Sequence, residues 1–81
     1  MSNLPNLSDL QVISVEEIKL FIEYLKIEGK SDPESAHLIE DEIKYLVIRE
    51  ISSANLSKKE MIEKCQLLLK IDDLDFPRWY A

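Results

Sequence analysis

Three times along this chain a serine stands three positions ahead of a glutamate, and each time an apolar pattern of helical period follows: Ser14 and Glu17, Ser31 and Glu34, Ser57 and Glu60. In such a box the hydroxyl accepts from the backbone N–H of the glutamate while the carboxylate reaches back, satisfying donors that a helix start leaves open. The chain therefore announces three helix starts. A single glycine, Gly29, leaves little of the turn chemistry that tight hairpins need. Strand-like alternation is almost absent, the best stretch being Leu10 to Ile13. At 81 residues there is room for one domain, residues 1–81, and the predicted class is all-α: a small three-helix bundle.

Ile13 and Ile18 flank the first box as a hydrophobic staple, and Ile18, Phe21, Ile22 and Leu25 form one stripe. The spacing predicts a helix over 15–28, stopped by Gly29 in a left-handed conformation. A second helix, 33–54, starts either from Asp32 with Pro33 at its first position or from Ser31 with Glu34. Its stripe is Ala36, Ile39, Ile43, Leu46, Val47, Ile51 and Ala54, with Asn55 as the left-handed stop. Leu56 closes this helix against Ile51 and leads into the next cap. The third helix, 58–70, is expected to bury Met61, Ile62, Cys65, Leu68 and Leu69. Short connections favour antiparallel neighbours.

The two ends differ. Residues 1–12 carry Leu4, Leu7 and Leu10 among Asn, Pro and Ser, a pattern compatible with lying on the core or fraying. Residues 71–81 are too apolar for an exposed tail, and Pro77 bars a regular helix, so this segment is expected to fold back and dock through Phe76, Arg78, Trp79 and Tyr80.

Charge removes several function classes. With 10 Lys plus Arg against 16 Asp plus Glu, the net charge of −6 has the wrong sign for binding nucleic acid through phosphate contacts or adsorbing to anionic membranes. Cys65 is alone, so no intramolecular disulfide is available and a reducing, cytoplasmic setting is expected. The opening MSNLPNLSDL shows neither the basic nor the apolar region of a secretory leader.

His37, Glu40 and Asp41 stand at i, i+3 and i+4, on one side of the second helix and away from the centre of its stripe. A histidine and a carboxylate one turn apart can share a metal, but one helix supplies too few ligands, so no metal and no cofactor are expected. Catalysis is not expected either. His37 has no glycine-rich turn nearby to expose a nucleophile or build an oxyanion hole. Asp72, Asp73 and Asp75 lack the glycine and closing glutamate of a calcium loop. Cys65 within an apolar stripe reads as a buried, inert thiol.

Ala36-His37-x-x-Glu40-Asp41 together with the ending Phe76-x-Arg78-Trp79-Tyr80-Ala81 resembles a group of small bacterial open reading frames with A-H-x-x-E-D on a helix and F-x-R-W near the C-terminus. The likeness covers about residues 36 to 81. It implies no activity or cofactor. Where that group has a glycine between its two helices, this chain has Asn55.

A non-catalytic protein–protein interaction or regulatory module is the leading expectation. Its partner is a protein or a second copy of the chain, since a domain this small buries only about 60% of its unfolded surface and gains much from a covered face. Leu20, Tyr24, Leu38 and Tyr45 lie off the main stripes as a second apolar face. His37, Glu40, Asp41, Lys44 and Tyr45 are the expected partner-binding residues, on the outer side of the second helix. Two other classes remain: an acidic decoy that imitates a nucleic-acid backbone for a basic protein, and a metal-dependent site completed across a dimer.

Overall fold

A computed structural model describes residues 4–74. They form a short 3-10 turn (Leu7–Asp9) and three helices, α1 (Val15–Ser31), α2 (Pro33–Ser52) and α3 (Lys58–Asp72). Each helix packs on the other two. Lys44 of α2 meets Asp72 at the end of α3, whereas Glu50, further along α2, meets Lys64, earlier in α3, so these two helices run antiparallel. The class is the all-α small bundle that the capping pattern implies.

The helices start where the sequence places them, and among the described residues the Ser14–Glu17 box alone closes from both sides. Ser14 Oγ accepts from the Glu17 N–H at 3.1 Å while Glu17 Oε1 accepts from the Ser14 N–H at 2.9 Å, closing both halves of the box. Ile13 before it and Ile18 after it are both fully buried. For α2 the capping residue is Asp32, which accepts from the Ser35 N–H, with Pro33 at the start of the helix. Ser57 caps α3 by accepting from the Glu60 N–H at 3.2 Å.

Two stops differ from the sequence expectation. Gly29 does not end α1: the helix passes through it, buried, to Ser31. The stop comes from Asp32, which leaves the helical region ahead of Pro33 and serves as cap for both helices. At the other end α2 closes at Ser52, and the left-handed residue is Ala54 (φ 59°), not Asn55. Ala54 donates its N–H to the Ile51 carbonyl at 3.1 Å. An alanine there accepts a steric penalty that glycine avoids.

The core combines Ile18, Phe21, Ile22 and Leu25 of α1 with Ala36, Ile43, Leu46 and Val47 of α2, as the stripes predict. Helix α3 departs from its predicted face. Its buried residues are Lys64, Leu67 and Ile71, while Ile62 and Leu69 are 45% and 64% exposed and Cys65 is only half-buried. The N-terminal leucines lie on the core: Leu7 is buried, and Leu4 and Leu10 pack against it. The expected docking of Phe76, Arg78, Trp79 and Tyr80 falls outside the described residues. Among the described residues no helix is long and apolar enough to cross a membrane.

Candidate functional site

The five expected partner-binding residues do not share one face. Successive helical residues rotate by about 100°, so Glu40 falls between Ala36 and Ile43 and joins the core side of α2. Its side chain is 2% exposed, which corrects its placement on the outer surface. Two side chains approach it: Lys44 Nζ at 3.5 Å from Oε2 and His37 Nδ1 at 3.9 Å from Oε1. Lys44 also donates to Asp72 Oδ1 at 2.8 Å. This hydrogen bond holds the Lys44 pKa above the usual lysine value; partial burial opposes it and the Glu40 charge reinforces it. His37 Nε2 lies 3.2 Å from the exposed Asp41.

His37, Glu40 and Lys44 therefore belong to a polar flank that ties α2 to the end of α3. Burying the Glu40 carboxylate is tolerated because the Lys44 ammonium accompanies it with charge and a hydrogen bond. The local signal was present in the sequence, since Glu40 is four residues after Ala36 and three before Ile43. Among the described residues, no group of three or more His, Cys, Asp or Glu side chains is arranged to hold a metal ion.

Tyr45 stands apart on the true outer face, 57% exposed. Leu38, two turns earlier, and Ile48, one turn later, are 61% and 62% exposed. The Arg49 guanidinium lies 5.4 Å from the Tyr45 ring centroid, and its Nη2 donates to the Gln11 carbonyl at 2.7 Å. The N-terminal segment thus holds the arginine against the aromatic ring. Ile48 and Arg49 were missed from sequence. Ile48 was visible as the residue three after Tyr45, whereas the Gln11 contact is long-range and leaves no local pattern. Tyr24, expected on this second face, is half-buried and packs on the core.

An open groove of about 530 Å³ runs between α1 and α3, floored by Ile22, Leu67 and Leu74 and edged by Lys19, Lys26 and Lys70. Among the described residues, none of the expected partner-binding residues on α2 lines it, and its walls hold no His, Cys or Ser. Chemically the described surface thus offers a polar flank engaged within the fold and an exposed apolar row on α2. No family model matches the chain, and neither a curated protein nor a solved structure is significantly similar to it.

Proposed function

We propose that the protein is a non-catalytic protein–protein interaction module that engages its partner through the outer face of α2. The observation that carries this reading is the exposed row of Leu38, Tyr45 and Ile48 with Arg49 stacked on the aromatic ring. Covering what remains exposed of one such side chain is worth about 1–2 kcal/mol in transfer terms, so the row favours a covered state. Tyrosine and arginine are the residue types in which interface energy concentrates. The net charge of −6 argues against nucleic acid or anionic lipid as the partner. The lone Cys65 fits a reducing, cytoplasmic setting.

The reading is tested by placing a photo-crosslinking phenylalanine analogue at position 45 of the full chain in host cells. It predicts a discrete protein adduct that Ile48→Glu suppresses. No adduct, or an adduct equally strong from an analogue at the exposed Ile27 of α1, contradicts it.

A further inference from the structure

We propose that the occupant of the outer α2 face is a second copy of this chain, joined as a two-fold dimer with the two α2 helices antiparallel; this rests on the reading of that face as an interface. Each helix exposes an apolar pair seven residues apart: Leu20 and Ile27 on α1, Leu38 and Tyr45 on α2, Ile62 and Leu69 on α3. Seven residues span close to two helical turns, so each pair makes a short row along its helix. Among the described residues only α2 adds a third large apolar residue to the row, Ile48, and only there does an arginine lie on an aromatic ring.

The charges beside that row fix both the partner and its direction. Glu42 and Arg49 are also seven residues apart, on the same edge of α2. Parallel copies would set Arg49 against Arg49 and Glu42 against Glu42. Antiparallel copies set each against its opposite, so the face is self-complementary. The midpoint of Tyr45 and Ile48 and that of Glu42 and Arg49 lie one residue apart, ~1.5 Å of helix rise. One register therefore packs Tyr45 of each copy on Ile48 of the other and brings each Arg49 alongside the opposing Glu42. About the two-fold axis each contact occurs twice.

The charged groups are available for this. Among the described residues Glu42 has no ion-pair partner in its own chain. Arg49 gives one of its five N–H donors to Gln11 and, among the described residues, keeps the others. The stack on Tyr45 also holds the guanidinium near the edge it would present.

Sedimentation equilibrium of the purified full chain tests the assignment, with circular dichroism confirming that each variant is folded. The wild type is expected to dimerise. Arg49→Glu and Glu42→Arg are each expected to raise the dimer dissociation constant at least about tenfold, because each sets like charges together. Glu42→Arg serves as the cleaner probe, since Arg49→Glu also removes the Gln11 bond. The double reversal, Glu42→Arg with Arg49→Glu, is expected to return to within about threefold of wild type, the signature of a direct pair. A chain that stays monomeric, a dimer indifferent to Ile48→Glu, or a double variant no better than the singles overturns the assignment. A monomeric chain whose position 45 still cross-links another protein in cells overturns the second-copy assignment alone and leaves the interaction face standing.

Discussion

Lys64 Nζ sits 2.6 Å from Glu50 Oε1 across the α2–α3 contact, with the lysine side chain 2% and the glutamate side chain 9% exposed. An ion pair so enclosed fixes which side of α3 faces inward, because turning the helix would bury one charge without the other.

Breaking that pair from one side is therefore expected to be severe. Lys64→Ala should cost about 3–5 kcal/mol, comparable with the whole stability of a domain this size. Replacing both partners, Lys64→Met with Glu50→Leu, should recover most of that loss or exceed wild type. Urea unfolding of the three proteins measures this. A single-variant loss below about 1 kcal/mol would show the pair to be solvated.

The face of α3 can be tested separately. Leu67 is buried and Leu69 is exposed, so Leu67→Ala should cost about 2–4 kcal/mol and Leu69→Ala no more than about 0.5 in the monomer. The opposite order would restore the face that the apolar spacing favours.

That reversal marks how far the sequence could be read. Helix number and starts were legible because Ser14, Asp32 and Ser57 act on neighbours within a turn. The α1 and α2 stripes were legible because their inward residues are mostly apolar. Helix α3 was not, since counting apolar residues places Ile62 and Leu69 inside and Lys64 outside, and the partner that reverses this, Glu50, belongs to another helix. Glu40 was misplaced in the same way: its type suggested surface, its register suggested core, and the nearby Lys44 ammonium let register win. Gly29 drew the α1 stop to itself, although Asp32 and Pro33 carried the stronger signal.

The link between Lys44 and Asp72 predicts an alkaline limit. The folded state raises the Lys44 pKa, so it binds this proton more tightly than the unfolded chain does. Its contribution is fully present below the unfolded lysine value and is lost as pH rises through the higher folded value, above about 10.5. Lys44 is about one-third exposed, which limits the pair to at most about 1 kcal/mol. Thermal melts should show wild type losing its advantage over Asp72→Asn across that window. A gap that widens with pH would reverse the sign.

The outer face of α2 carries the functional account, and Tyr45→Ala tests it most directly. Thermal melting and sedimentation are measured on the same samples. Because Tyr45 is exposed, the melting of the monomer should stay within about 0.5 kcal/mol of wild type, while association weakens by at least about 1 kcal/mol. A variant that unfolds, or one that associates as wild type does, would place the interface elsewhere.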